Sequence, residues 1–361
     1  MASIVQWVSY IHLVPEDAMK KLTTALIISS LFSLNAIAQE LPNITILGTG
    51  GTIAGSAEKS TDVTGYKAGE IAVSTLIEAV PQIVDVANVD GIQVANTSSS
   101  NIDSKILLEM ANTANSLLQN DTSGVVITHG TDTTEETAFF MDLVNQTDKP
   151  IVVVGAMRPA TAISADGPMN LLNAVKLASD ESAYGRGTMV LLNDNIGAAY
   201  YTSKTSSISL DTFKAHDQGF LGTFAGGEPK FYYEPAKVMG KPTFDVSKLE
   251  TLPKVDIVYS YQNMGPEIID AIVESGADGI VVAGSGNGSV PSAVRERISQ
   301  LNEDGYPVVL STRTGSGFVT AKSHAIGSGV LNPQKARIML MLALTETQDV
   351  KELPIYFGTQ S

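Results

Sequence analysis

No cysteine occurs in this chain, and that absence removes disulfides, thiolate metal sites and thiol nucleophiles together, whatever the redox state of the compartment. The core must be held by packing alone. Basic residues are scarce: 23 Lys and Arg stand against 38 Asp and Glu, a net charge of -15. Such a surface repels phosphate backbones, and no Lys/Arg cluster offers a local exception, which argues against nucleic acid as a partner. The single tryptophan, Trp7, precedes Met19. Beyond the leader, His129, His216 and His324 stand apart, without metal-ligand spacing, so no metal is expected.

What is present points to a folded enzyme-sized chain. With 361 residues, 43% hydrophobic and 17% charged, there is material for two packed cores, and disorder is not an option. From Met19 the chain reads as an export signal over 19–38. Lys20 and Lys21 precede the apolar run Leu22 to Leu34, and Ala36-Ile37-Ala38 forms a small-residue cleavage site before Gln39. The run is too short for a membrane span of about 20 residues, so the mature protein is expected to be periplasmic or secreted. Residues 1–18, with Pro15, Glu16 and Asp17, fit neither signal nor domain and read as an extension upstream of the true start.

From Asn43 onward, short β-branched runs alternate with longer amphipathic stretches, which predicts an α/β architecture with a largely parallel sheet. Strands are expected at Asn43 to Leu47, Gly124 to Thr128, Ile151 to Gly155 and Thr188 to Leu192. Asp103 to Gln119 carries Ile106, Leu107, Met110, Ala114 and Leu117 at helical spacing behind a capping aspartate. Thr133 to Asn145 reads as a second helix, with Thr133 and Glu136 at capping-box spacing, and Asp166-Gly167-Pro168 opens a third. Four prolines and little periodicity mark 225–253 as a linker. It separates a large N-terminal domain, 41–224, from a smaller C-terminal α/β domain, 254–361. There a strand Val255 to Ser260, a helix Pro266 to Ser275, a strand Gly279 to Ala283 and a closing helix within Pro333 to Thr345 are expected.

Ligands in parallel sheets sit beyond the carboxyl ends of the strands, and two strand-leaving loops are unusual. Gly48-Thr49-Gly50-Gly51-Thr52-Ile53-Ala54-Gly55 lets a ligand approach the main chain. Ile53 stands where a dinucleotide fingerprint needs its third glycine, and no Gly-Lys-Ser/Thr follows to make a phosphate loop. A tight turn without chemistry is the alternative. Thr128-His129-Gly130-Thr131-Asp132-Thr133-Thr134-Glu135-Glu136 enters a helix whose first N–H groups favour anions, while Asp132 suits an ammonium. Both signs together suit a free amino acid; helix capping by Asp132 and Thr133 is the plainer reading. His129, at a buried strand end, reads as a satisfied core residue before it reads as a general base.

These two loops, together with Val154-Gly155-Ala156-Met157-Arg158-Pro159, Ser164-Ala165-Asp166-Gly167-Pro168 and Leu331-Asn332-Pro333-Gln334-Lys335-Ala336-Arg337, resemble type II bacterial L-asparaginases and their glutaminase-asparaginase relatives. The likeness runs from Leu41 to the C-terminus. It implies a two-domain α/β fold and hydrolysis of L-asparagine, with glutamine as a second candidate substrate, through a threonine-linked acyl-enzyme. It also implies a homotetramer with active sites between the large domain of one subunit and the small domain of another, without metal or cofactor. By the same resemblance Thr52 matches the nucleophile and Tyr66 the tyrosine that polarises it. Thr131, Asp132 and Lys204 match a second set, a threonine supported by a lysine with an aspartate for the substrate's ammonium. Gly51, Ser99, Ala156 and Ser289 match positions that touch substrate, although the glycine-rich run Gly286-Asn287-Gly288-Ser289 reads equally as a plain turn.

Two departures stand out. Ser100 occupies a position where the family usually has glutamine or glutamate, so recognition of the amino group leans on Asp132. Thr314 to Leu331 contains no carboxylate where relatives send an acidic residue into the neighbouring site, which leaves the partner of Tyr66 open. A threonine hydroxyl needs a nearby base, and Lys204 qualifies only if desolvation outweighs Asp132, or if the substrate's ammonium first neutralises that carboxylate. The segment Ser56 to Gly69 has the composition of a lid. An exported amino-acid-binding protein with the same pocket, and the amidotransferase subunit that makes glutaminyl-tRNA, are the competing readings; the export signal opposes the second.

Overall fold

In the computed structural model residues 40–359 are described; the upstream extension and the leader read above lie outside them. The chain from Pro42 onward forms one compact unit built on two sheets. In chain order the strands are β1 (Asn43–Gly50), β2 (Asn88–Thr97), β3 (Gly124–Thr128), β4 (Ile151–Val154), β5 (Thr188–Leu192), β6 (Asn195–Ala198), β7 (Ser203–Lys204), β8 (Phe213–Lys214), β9 (Gly222–Ala225) and β10 (Glu228–Phe231), followed in the smaller domain by β11 (Val255–Tyr259), β12 (Gly279–Gly284), β13 (Val308–Thr312) and β14 (Ile326–Gly327). The helices are α1 (Val73–Glu78), α2 (Ser104–Leu118), α3 (Thr134–Val144), α4 (Gly167–Ser179), α5 (Glu267–Glu274), α6 (Ser292–Glu303) and α7 (Pro333–Glu346).

The large sheet has the order β10-β9-β6-β5-β4-β3-β1-β2. It is parallel from β2 to β5 and antiparallel from β5 through β6 and β9 to β10. The central strands are fully buried, and side-chain alternation sends their residues to opposite cores. Ile127 and Val153 face a cluster with Met110 of α2 and Phe139 of α3, while Val126, Val152 and Val154 face one with Leu171 and Val175 of α4. The four-stranded sheet β11-β12-β13-β14 is entirely parallel. Its Ile280 and Val282 pack with Ile269 of α5 and Ile298 of α6.

The cluster that holds Phe139 of α3 also takes in Val281, Val309 and the α7 residues Met339 and Leu340. One apolar core thus runs from the large sheet, through α3 and α7, to the small one. This explains why α3 is buried on nearly every side, although a helix on a domain surface would keep a polar face.

Asp103 caps α2 as expected, accepting from the Ile106 N–H at 2.9 Å. Thr133 does not form the capping box: its hydroxyl donates to the Ser99 carbonyl at 2.9 Å, and Glu136 faces Arg337. Asp166 accepts the N–H groups of Met157 and Arg158, which fixes the turn after β4 instead of capping α4. The stretch 225–253 is not all linker. Glu228–Phe231 pairs with Gly222–Ala225 at the sheet edge, where Pro229 is tolerated because an edge strand has no partner on its outer side. Phe244 and Val246 are buried in the shared core.

Leu340, fully buried against Gly279 in that shared core, provides a test of the coupling. Leu340→Ala is expected to cost about 2–5 kcal/mol while calorimetry still shows one cooperative unfolding transition. Two resolved transitions in the wild type would contradict the continuous core.

Candidate active site

β1 and β3 lie side by side, Gly48 opposite Thr128, yet the chain leaves them in opposite directions, from β1 to β2 and from β3 to β4. Such a reversal opens a crevice at the carboxyl ends. Both glycine loops read from sequence leave at this point. Thr49 ties them together, its hydroxyl donating to the Thr128 carbonyl at 2.9 Å.

The two backbones meet without side chains between them. Gly51 has φ 77°, and a Cβ placed on it would lie 2.3 Å from both N and Cα of Gly130. A Cβ on Gly130 would in turn meet the Ser99 hydroxyl at 2.8 Å. Glycine is therefore required at Gly51 by contact and by dihedral, and at Gly130 by contact alone. Gly51 spends its own polar groups internally, donating to Thr97 O and accepting from Gly69 N. Its contribution is close approach.

Thr52, next in the chain, is buried, and its Oγ1 lies 2.6 Å from the Tyr66 hydroxyl. The loop carrying Tyr66 is fastened at its base by reciprocal Ser56 and Lys67 backbone bonds and by Ile71 N to Ala54 O. It leans on 160–163 through Ala57 N to the Thr161 hydroxyl and Ile163 N to Ser60 O. The second set also assembles. Lys204 Nζ donates to Thr131 Oγ1 at 2.9 Å and pairs with Asp132 Oδ1 at 2.6 Å. Thr131 is 4% exposed, whereas the Asp132 carboxylate is 69% exposed, so the pair opens on one side for a ligand cation.

Ala156 is buried behind Ile53, with Gly167 of α4 in contact with both. Ser100 is exposed beside the buried Ser99. Ser289 is not brought to this cluster by its bonds: it pairs backbone to backbone with Ser285 in an exposed turn of the small domain. The small-domain loop around Gly315 touches the large domain elsewhere, Gly317 N donating to Asp217 at 3.1 Å.

His129 is fully buried beneath the crevice, its Nδ1 2.8 Å from the Gly130 carbonyl and its Nε2 2.9 Å from the Thr137 hydroxyl. A carbonyl only accepts, so Nδ1 carries the proton and Nε2 accepts. Burial pushes the imidazole down to about 4, against the Gly130 bond that favours the charged form. The ring is a neutral strut for the Gly130 turn.

Three contributors were not singled out in the sequence. Glu135, buried in the first turn of α3, accepts the Lys204 N–H at 2.8 Å. Asn332, capping α7, donates to the Ser203 hydroxyl at 3.1 Å. Lys335, in the first turn of α7, is buried and donates to the carbonyls of Ala199, Tyr200 and Thr202 at 2.8, 3.0 and 2.7 Å. A signal for Lys335 existed: it shares a helix face with Ile338, Met339 and Leu342 at spacings of three, four and seven. Among the described residues no cluster of three or more His, Asp or Glu could hold a metal ion.

Comparison with known proteins shows the family. Residues 43–237 match the family model described as "Asparaginase, N-terminal", and 254–357 match "Glutaminase/Asparaginase C-terminal domain". A Bacillus subtilis protein named L-asparaginase 2 is 52% identical over 89% of this chain and 87% of its own length. A Haemophilus influenzae protein named "Probable L-asparaginase periplasmic" is 44% identical over 92% of this chain and 98% of its own. A solved structure described as a probable cytoplasmic L-asparaginase from Campylobacter jejuni superposes with a TM-score of 0.85 at 47% identity, covering 88% of this chain and all of that one.

The buried neutral His129 sets a pH dependence. Because its folded value near 4 lies below its ordinary 6.5, the unfolded chain binds the extra proton between those values. Stability from this group is full above about pH 6.5 and is lost as pH falls towards 4. Chemical denaturation across that window should show a slope about one proton smaller in His129→Gln than in the wild type; equal slopes would contradict the buried neutral ring.

Proposed function

Since the chain belongs to the asparaginase family, we propose that it hydrolyses L-asparagine to L-aspartate and ammonia through an acyl-enzyme on Thr52. The observation that carries this reading is the short Thr52–Tyr66 contact facing a crevice that also holds the Thr131–Lys204–Asp132 set. A site built only to bind an amino acid needs charge complementarity; it does not need two hydroxyls, each paired with a proton-handling group.

In the free site Lys204 donates to Thr131 and so is not a base. Bound asparagine would place its ammonium on Asp132 and its carboxylate near Ser99 and the N–H groups opening α3. With the substrate's ammonium on Asp132, Lys204 loses its counter-charge, gives up its own proton to solvent and, as a neutral amine, can take up the proton of Thr131. Thr52 Oγ1 attacks the side-chain amide carbon as the Tyr66 hydroxyl accepts its proton and passes its own phenol proton to the amide nitrogen, and the C–N bond breaks as ammonia leaves. Water delivered through Thr131 then attacks the ester, releasing aspartate and restoring Thr52. Glutamine differs by one methylene, worth about 1–3 kcal/mol of discrimination, so a slower glutaminase reaction is part of the proposal.

We further propose export and a homotetramer in which the small domain's Ser289 turn completes a neighbouring site. Export rests on the leader pattern ending at Ala38, and the tetramer on the resemblance together with the hydrogen bonds of Ser289, which go to Ser285 of its own turn. Protein recovered from the producing cell's exported fraction should begin at Gln39 and scatter light as four chains; a retained leader or a monomer would sink the respective claim.

The central test is ammonia release from asparagine and, separately, from glutamine. Thr52→Ala should lower kcat on the order of 10⁴-fold or more, as loss of a nucleophile does elsewhere, while aspartate still protects the protein against heat. A folded wild type that releases no ammonia from either amide would favour the binding-protein reading.

A further inference from the structure

Lys335 stands out among the charged side chains because nothing in the reaction above uses it. It belongs to the small domain's last helix, yet its ammonium is buried under the large domain. All three of its protons go to backbone carbonyls of one turn, Ala199, Tyr200 and Thr202, and the Phe139 ring lies 5.6 Å beneath. Burying an ammonium is costly unless every donor is satisfied. Here the cost is met by three carbonyls that converge because the chain reverses after β6, Tyr201 N and Thr202 N both bonding back to Ala198 O.

That turn leads directly into Ser203 and Lys204. Asn332, from the same helix end, holds the Ser203 hydroxyl, Glu135 holds the Lys204 N–H, and Phe213 of β8 pairs with Lys204 across a two-residue ladder. Two residues of extended chain separate the Thr202 carbonyl from the Lys204 backbone, about 7 Å. Displacement of the turn is therefore passed with little loss to the side chain that reaches Thr131. The charged groups around this assembly are Glu135 and Asp142 of α3, which both act on Lys335, Asp132 on Lys204, and His216 and Arg313, which line a cavity of about 510 Å³ outside Lys204.

We propose that Lys335 is a positioning residue for Lys204, through which the small domain's helix sets the geometry of the Thr131–Lys204 pair in its own subunit. The inference rests on the reading that Lys204 takes part in turnover.

The test is steady-state ammonia release from asparagine by the full chain, well below the unfolding midpoint, for Lys335→Met, Lys204→Met and the pair combined. Lys335→Met should lower kcat by about 10²-fold, the scale of a roughly 1 Å misplacement, with KM within about threefold. In the Lys204→Met background the same change should alter kcat by less than about twofold, since a residue that acts through another loses its effect when the other is gone. If Lys335→Met does not fold because Glu135 is left without a cation, Glu135→Gln/Lys335→Met carries the same comparison. A folded variant with near-wild-type kcat, a rise in KM alone, or an undiminished effect in the Lys204→Met background overturns the positioning role and leaves Lys335 a structural cation. A wild type that releases no ammonia overturns the functional reading and this inference together, which separates the two failures.

Discussion

The contact on which this molecule depends is the one between Gly51 and Gly130, where two main chains pass too closely for any side chain. Parallel strands alone would leave the loops after β1 and β3 about one strand spacing apart, near 4.8 Å, and free to diverge. The absence of two β-carbons lets them touch, and the Thr49 hydroxyl locks the approach to Thr128. Thr52 and Thr131 each follow one of these glycines by a single residue, so the pairing of the threonines is a direct result of the glycine contact.

Around that contact the structure places charge in two layers with different solvent access. The outer layer, Lys204 with Asp132, is open on the carboxylate side. A pair whose carboxylate stands in solvent is worth little to stability, and under the proposed mechanism its value is that a ligand cation can compete for the carboxylate. The inner layer, Glu135 and Lys335, is buried and bonds chiefly to backbone, with Asn332 also donating to Glu135. Burial draws the Lys335 ammonium down to about 8 while Glu135 and Asp142 oppose the shift, so the amine remains mostly charged at neutral pH and keeps its three donors. The outer layer can exchange partners because the inner one does not.

The two domains share this arrangement. Helix α7 packs Met339 and Leu340 into the core common to both sheets, while its first turn directs Asn332 and Lys335 at the segment holding Lys204. Rigid placement of a side chain needs support from groups that are themselves locked by packing. Here the support comes from residues more than a hundred positions away in sequence.

Much of the fold was legible in the sequence because buried parallel strands have a distinctive composition. Gly124–Thr128 and Thr188–Leu192 are built almost wholly of β-branched and apolar residues, and Asp103 announces its helix by cap and period together. β2 was not anticipated, since Asn88–Thr97 is largely exposed and mixes polar residues with a glycine; nor was β10, because Pro229 reads as a breaker until its edge position is known. The two loops were recognised from their glycines, and Thr52, Tyr66, Thr131, Asp132 and Lys204 from resemblance to a family. What local sequence determined was the backbone freedom of the glycine loops, the strand and helix periods and the excess of negative charge, because each depends on residues near one another in the chain. Tertiary structure alone decided that Thr133 would bond Ser99 instead of capping its helix, that His129 would be a neutral strut, and that Lys335 would hold the turn before Lys204. Those outcomes depend on which donors and acceptors meet after burial, and burial is a property of the packed molecule.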